Sequence, residues 1–203
     1  ECDYRNKNYS QSLIGYENII SEPANIYTEK SLAKAAALHY NGKEYTKAIT
    51  YFLRLEATAE LRENVFAAQT GLMRSYYSQP NYNEAIAYAK KLINGEKVSN
   101  DIVSEAHLTY GRSALQLNDF VGAKNEYTAL SKQSSLAGAE AKYQLAFIDY
   151  KMGNFKASQK KCYDVANQVP SYDFWIGKSF ILLADNYIAL VDTFQAKATL
   201  QSI

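Results

Sequence analysis

The chain has 203 residues and a nearly balanced charge, with 22 Lys and Arg against 21 Asp and Glu. No stretch carries the roughly five like charges typical of a nucleic-acid-binding arm, and no apolar stretch reaches the roughly 20 residues that span a bilayer. We therefore expect neither a nucleic-acid partner nor a transmembrane segment. Three prolines and nine glycines provide too few turns for an all-β protein of this length, which favours an all-α fold.

Along the chain, one helical step recurs six times. Each copy begins with an aromatic anchor, carries a small residue three positions later, and has further stripe positions, mostly apolar, seven and ten residues after the anchor. Since an α-helix makes one turn in about 3.6 residues, these offsets place the side chains on one helix face, which we predict to be buried. In chain order the anchors and stripes are Tyr9 with Ser12, Tyr16 and Ile19; Tyr45 with Ala48, Phe52 and Leu55; Tyr82 with Ala85, Ala89 and Leu92; Phe120 with Ala123, Tyr127 and Leu130; and Phe155 with Ser158, Cys162 and Val165. Phe194 opens an irregular sixth copy, whose stripe continues only through Ala196, Leu200 and Ile203.

The spacing of the anchors, 35 to 39 residues, is the period of a helix-turn-helix unit and excludes a coiled-coil heptad. We predict that each repeat is a pair of antiparallel helices and that the anchor begins the second helix. Nine positions upstream of three anchors the first helix carries a small residue, Ala36, Gly111 or Ala146, where two backbones approach closely. In the repeat anchored by Tyr82 this position is Met73, so we expect that pair to be spaced or tilted differently.

The predicted organisation is one array over residues 1–203. The second helix of a partial repeat occupies 1–24, four full repeats follow at 25–59, 60–97, 98–133 and 134–170, and a last repeat with a shortened second helix occupies 171–203. Both ends fall within a repeat, so we expect a fragment of a longer array, or self-association through the uncapped ends. At the first end the apolar residues expected to lie bare are Tyr9, Leu13, Tyr16, Ile19 and Ile20.

The run from Tyr143 to Pro170 resembles a complete tetratricopeptide repeat (TPR), including its Gly-Asn-Phe turn and closing proline. The segments 39–48 and 116–123 are similar to the middle of such a repeat. This resemblance covers nearly the whole chain and implies a right-handed α-solenoid of antiparallel helix pairs, a TPR-like superhelix that binds proteins or peptides. Departures are a period longer than the family's, about 34 residues, and Asp149 where an apolar residue is usual. Tyrosine-rich repeats ending in Pro-Ser are similar to those of bacterial cell-envelope TPR proteins, which favours the envelope over the cytoplasm, although cysteine usage leaves the compartment open.

In TPR proteins the first helices line a concave groove that binds peptides, and the resemblance carries this groove over by position. The candidate groove residues are Tyr40, Arg74, Tyr77, Arg112, Tyr143, Phe147 and Tyr150. Arg74 and Arg112 could hold a carboxylate by bidentate hydrogen bonds, with the aromatic residues as apolar contacts. Alternatively, the arginines lie along the helix surface and the tyrosines are repeat scaffolding. The Lys and Asn pattern of the family's chaperone-tail clamp is absent, with Ala33 and Ala37 where it would begin.

Catalytic and metal-binding motifs are absent from the sequence, so we expect no enzyme activity, cofactor or metal. His39 and His107 are interpreted as helix-packing residues, Cys162 as a small buried side chain, and Cys2 as more exposed. The leading function is a protein- or peptide-binding scaffold. Two alternatives stay open: a sensory or ligand-input module of a larger signalling protein, and an envelope protein that handles glycans or polymers by stacking sugar rings on Tyr143, Phe147 and Tyr150.

Overall fold

The structure is a computed structural model that describes Tyr4 and residues 8–202. All regular secondary structure in those residues is helical, as predicted. In chain order the helices are α1 (Tyr9–Ser21), α2 (Thr28–Asn41), α3 (Tyr45–Thr58), α4 (Arg62–Ser78), α5 (Tyr82–Ile93), α6 (Asn100–Gln116), α7 (Phe120–Leu130), α8 (Leu136–Lys151), α9 (Phe155–Ala166), α10 (Asp173–Ala189) and α11 (Thr193–Gln201). Five anchors are the first residues of α1, α3, α5, α7 and α9. The chain divides into two compact units, Glu1–Ser113 and Ala114–Ile203, with the boundary inside α6.

The first unit is held together by the predicted stripes of α3 and α5 and by the facing sides of α2 and α4. Leu32 of α2, Leu55 of α3 and Leu92 of α5 are fully buried in one core cluster. Removing such side chains from water contributes about 1.5–3 kcal/mol each, so the repeat pattern itself supplies the main stabilisation. From α1 to α5, each helix packs on the next one in the chain, as a series of helix pairs requires.

Residues of α1 were predicted to lie bare, and for two of them this is wrong. Tyr16 and Ile20 are each only 5% exposed, because α1 packs on α2 and turns this side toward the core. The stripe runs through Ile20 in place of Ile19, which is half-buried like Leu13, whereas Tyr9 is 49% exposed. Ile203 and Cys2 lie outside the described residues.

In the repeat anchored by Tyr82, the first helix, α4, closely approaches α3 of the preceding repeat. Met73, which stands where three other repeats have a small residue, is fully buried. Gly71, two residues earlier, lies against the ring of Phe52, and a Cβ at Gly71 would overlap that ring. The glycine therefore provides the close approach of α4 to α3.

The second unit has its own core, in which Ala146 of α8, Cys162 and Val165 of α9, and Leu182 and Leu183 of α10 are all buried. Asp149, the polar residue at an apolar position, is also buried, at 3% exposure. Its Oδ1 lies 3.4 Å from Lys124 Nζ, and its Oδ2 accepts a hydrogen bond from Lys161 Nζ. Lysines from α7 and α9 thus neutralise the carboxylate and make this position compatible with the core.

Four of the turns between the two helices of a repeat share one geometry, which fixes where the second helix begins. Lys43, Asn118, Gly153 and Val191 adopt left-handed backbone conformations, with φ of 62°, 58°, 77° and 62°. In each case the next N–H donates to a carbonyl five residues back, for example Asn154 to Asp149 at 2.8 Å. This is the Schellman arrangement, which satisfies carbonyls at a helix end.

The same turn geometry shows that the predicted position of the last anchor, Phe194, is wrong by one residue. Since Val191 holds the left-handed position, α11 begins two residues later at Thr193, and Phe194, the expected anchor, is 78% exposed. The small residues then fall into register: Ala184, nine positions before Thr193, and Ala196, three after it, are both buried. The buried stripe does not continue past Ala196, because Leu200 is 49% exposed.

Candidate functional site

Three of the predicted groove residues are tyrosines at the ends of first helices, and each packs on the anchor five residues later. The ring centroids of Tyr40 and Tyr45 are 5.6 Å apart, those of Tyr77 and Tyr82 5.9 Å, and those of Tyr150 and Phe155 5.6 Å. The planes of each pair are inclined at 57° to 60°, a favourable edge-on geometry. This recurring pair joins the two helices of a repeat across their turn, so each of the three tyrosines makes a contact within its own repeat.

Arg74 is engaged within the first unit. Its Nε and Nη2 donate to the two carboxylate oxygens of Glu105 on α6, at 2.5 Å and 2.6 Å. The hydrogen bonds with Glu105 raise the pKa of Arg74. A ligand carboxylate would therefore have to compete with Glu105 for the guanidinium. Arg112, half-buried on α6, also interacts with other residues of the protein.

The second unit contains a cleft of about 430 Å³, which we call the α8 cleft. Four of its residues lie on α8 at helical spacing, and Lys178 of α10 closes one side. The turn between α6 and α7 provides the opposite side. The lining residues are Leu115, Gln116, Asn118, Phe120, Tyr143, Gln144, Phe147, Lys151 and Lys178. The structure thus brings Tyr143 and Phe147 together in one site, whereas Tyr150 is not among the residues that line it.

Aromatic rings and two lysines give the α8 cleft its chemistry. Lys178 Nζ lies 5.3 Å, 5.4 Å and 5.6 Å from the ring centroids of Tyr143, Phe174 and Trp175. Lys151 Nζ lies 5.3 Å from the centroid of Phe147. Distances of this size are typical of cation–π contacts, which hold each ammonium group against an aromatic surface.

Tyr143 is the centre of this aromatic group. Its centroid is 6.4 Å from that of Phe147 and 5.4 Å from that of Trp175, and the residue is only 9% exposed. Burial, with smaller contributions from Cys162 and Asp185, raises the pKa of the Tyr143 hydroxyl. The phenol is therefore neutral at physiological pH and acts as an apolar wall with a hydrogen-bonding end.

Sequence reasoning missed both lysines of the cleft. Lys151 is one turn after Phe147 on the same face of α8, so an extension of the aromatic spacing by one step would have found it. Lys178 is 35 residues from Tyr143, in the next repeat, and only the packing of α10 brings it close. No local pattern marks such a pair.

The other ionisable side chains singled out from the sequence have structural surroundings. His39 is 3% exposed and lies between Glu17 and Glu44, and its ring stacks on Tyr51 with centroids 5.2 Å apart. Burial raises the pKa of the Cys162 thiol to about 12, against an opposing hydrogen bond with Ser158. His107 on α6 is half-buried.

Among the described residues, no cluster of His, Cys, Asp and Glu has the geometry to hold a metal ion. Within residues 8–202, no helix combines the length and the apolar composition needed to cross a membrane.

Comparison with known proteins places the fold. A tetratricopeptide repeat protein from Parabacteroides merdae superposes with a TM-score of 0.73 at 14% identity, over 98% of this chain and 74% of that one. BtubC (BKLC) from P. vanneervenii gives 0.70 at 17% identity, over 97% and 87% of the two chains. The apo form of RapI gives 0.63 at 15% identity, over 99% and 96%. No family model matches the chain, and no curated protein matches it in sequence. The chain therefore has a TPR-like fold of consecutive helix pairs, as predicted.

Proposed function

We propose that this chain is a non-enzymatic scaffold that binds a protein or peptide on the first helices of its repeats. The observation that carries the proposal is the α8 cleft, in which Tyr143 and Phe147 lie side by side on a first helix. Concave sites with apolar walls and a few polar groups are typical binding sites. Because the walls are helices packed into a core, a ligand binds without ordering the protein first.

The chemistry of the buried groups supports a role without catalysis. Cys162, the thiol that the structure describes, is protonated at neutral pH because burial raises its pKa to about 12. A protonated, buried thiol is a poor nucleophile. Asp149 is held by two lysines inside the second unit and does not line the α8 cleft.

A peptide fits the α8 cleft better than a sugar does. Stacking on a sugar ring needs an open aromatic face, yet Tyr143 is 9% exposed and has Lys178 above its ring.

The arginine contact through Arg74 and Arg112 remains a second proposal for the first unit, where a ligand would displace Glu105. Self-association through the ends is also proposed and is tested by sedimentation of the same protein over a range of concentrations.

The function is tested by selecting a displayed library of random octapeptides on the full chain. We expect enrichment of related peptides, and direct binding of the synthesised winners at micromolar concentrations, compared with an unrelated helical protein as the control. Replacement of Phe147 by Ala should weaken these peptides about tenfold or more. Val121→Ala, at an exposed residue of the same unit that does not line the cleft, is the matched control. Failure to enrich any peptide over the control protein would exclude the proposal.

A further inference from the structure

The charges that line the α8 cleft are all of one sign. Lys151 and Lys178 are the charged lining residues that the structure describes, and the other polar ones are the uncharged amides Gln116, Asn118 and Gln144. No Asp or Glu is among the lining residues described. The cleft is therefore a local positive site in a chain whose formal net charge is only +1.

The two lysines differ in their partners from three other lysines of the second unit. Lys124 and Lys161 share the carboxylate of Asp149, and Lys142 donates to the side-chain oxygen of Gln168 at 3.2 Å. Across the described part of the chain, neither Lys151 nor Lys178 forms an ion pair with a carboxylate. Their contacts are with rings, which attract a cation but do not cancel its charge.

The rings also fix where the charge is. Lys178 Nζ lies within 5.6 Å of three ring centroids, so its long side chain has lost freedom before any ligand arrives. A prepositioned ammonium group reduces the entropy lost on binding, and an apolar surface beside it strengthens its attraction for an anion. Lysines on an open helix surface have neither property.

We infer that the α8 cleft binds an acidic segment of a partner protein, with a carboxylate beside Lys151 and Lys178 and an apolar side chain against Phe120 and Phe147. This inference rests on the proposed function and adds the chemistry of the ligand. A cleft of about 430 Å³ accommodates a few side chains rather than a polymer. The formal net charge of +1 gives the chain little general attraction for a polyanion such as nucleic acid.

The test compares selections on the wild type and on Lys151→Glu/Lys178→Glu, using the displayed octapeptides described above. We expect acidic peptides with an aromatic or aliphatic residue from the wild type, and loss or reversal of that acidic preference in the variant. Lys156→Glu/Lys160→Glu is the matched control, because it makes the same charge change at exposed lysines of α9 outside the cleft. It should select the same peptides as the wild type.

Binding affinities are measured with synthetic versions of the enriched peptides. Replacing their Asp and Glu by Asn and Gln should weaken binding at least about tenfold in low salt, and less in high salt. Trp175, the only tryptophan of the chain, contacts Tyr143 and reports binding by its fluorescence. Lys151→Gln/Lys178→Gln removes the charges without reversing them, and keeps the test valid if the glutamate variant does not fold.

The outcomes separate the two proposals. The acidic ligand would be overturned if neutral or basic peptides were enriched, or if both lysine variants bound the acidic peptides as tightly as the wild type does. Either result would leave the scaffold function standing. Displacement of the peptide by a single-stranded oligonucleotide at the same charge concentration would also overturn it. Absence of any enriched peptide would instead remove the scaffold function, and the acidic ligand with it.

Discussion

In each unit of the molecule, one buried ionisable side chain lies between two side chains of the opposite acid–base character. The two arrangements differ in chemistry. In the first unit, His39 Nδ1 lies 3.1 Å from Glu44 and Nε2 lies 3.2 Å from Glu17. In the second unit, Asp149 lies between Lys124 and Lys161. The central side chains are 2% and 4% exposed, whereas every partner is at least 31% exposed.

The difference is what happens when the partners are lost. A neutral imidazole is a stable species at physiological pH, so a buried histidine does not need a partner of opposite charge. An aspartate at that pH stays charged unless burial forces it to take up a proton, which costs free energy. The acid–base chemistry of a buried polar side chain therefore sets how strongly its stability depends on charged neighbours.

The largest effect should follow from removing both lysines of the second unit. Lys124→Met/Lys161→Met leaves the Asp149 carboxylate buried and unpaired, and we expect the free energy of unfolding in urea to fall by about 3 kcal/mol. Asp149→Leu is the control, because both lysines are partly exposed and can return to water. It should cost clearly less. Equal losses in the two variants would mean that the carboxylate is not the group at risk.

The corresponding change in the first unit, Glu17→Gln/Glu44→Gln, should have a smaller effect on the melting temperature at pH 7. The imidazole of His39 can then donate a hydrogen bond to one amide and accept one from the other. A melting-temperature decrease as large as that of the double lysine variant would remove the distinction between the units.

The surroundings of Glu44 predict that the stability of the protein depends on pH. A hydrogen bond with Lys47, the charge of Lys47 and, less strongly, His39 lower the pKa of Glu44 below its usual 4.5. A carboxyl with a depressed folded pKa adds stability above its unfolded pKa, and this stability is lost as the pH falls through the folded value. The stability advantage of the wild type over Glu44→Gln should therefore shrink as thermal melts are carried below about pH 4.5. An advantage that is constant with pH would contradict this assignment.

A smaller effect should distinguish the turns of the two units. Val191 is β-branched and has φ of 62°, a conformation that costs most side chains roughly 1–2 kcal/mol and glycine nothing. Allowing for the greater freedom of glycine in the unfolded chain, Val191→Gly should raise the free energy of unfolding by about 0.5–1 kcal/mol. Lys43→Gly, at the equivalent turn of the first unit, should gain less because lysine is not β-branched. Chemical denaturation of both variants gives the comparison.

The smallest effect is expected for Glu105→Gln in the first unit. Arg74 and Glu105 are 46% and 35% exposed, and ion pairs of this kind contribute about 0–1 kcal/mol. The melting temperature should change little. The free guanidinium should nevertheless give the first unit a new affinity for the acidic peptides selected by the α8 cleft, measurable in the Lys151→Gln/Lys178→Gln background. Absence of that gain would show that Arg74 is not positioned for a ligand.

The repetitive part of the fold could be predicted because it depends on local spacing. Ala48, Phe52 and Leu55 are buried as their offsets require, and the same holds for the stripes of α5, α7 and α9. The last anchor was misplaced by one residue because an aromatic side chain outweighed the two alanines that fix the register. Aromatic character alone is a weaker guide than the spacing of small residues, since a helix end can leave a ring such as Phe194 in solvent.

The candidate site was less predictable because its chemistry comes from pairs that are distant in sequence. Arg74 was one of two candidate carboxylate-binding arginines, and its partner Glu105 is 31 residues away in sequence. Lys178 reaches Tyr143 across a repeat in the same way. A sequence read one helix at a time gives the face on which a charge lies, but not whether a neighbouring helix neutralises it.

The tyrosine–anchor pairs have a consequence for how the chain reaches this structure. Their partners are five residues apart in sequence, and the backbone hydrogen bonds of the same turn span the same distance. Contacts between residues so close along the chain form with little loss of loop entropy. Each of these three hairpins therefore carries its own starting point for folding, and in a repeat protein structure then spreads from any of them to its neighbours. Damage to one of the three turns removes a single route and leaves the others, so the chain gains tolerance of mutation at any one of them.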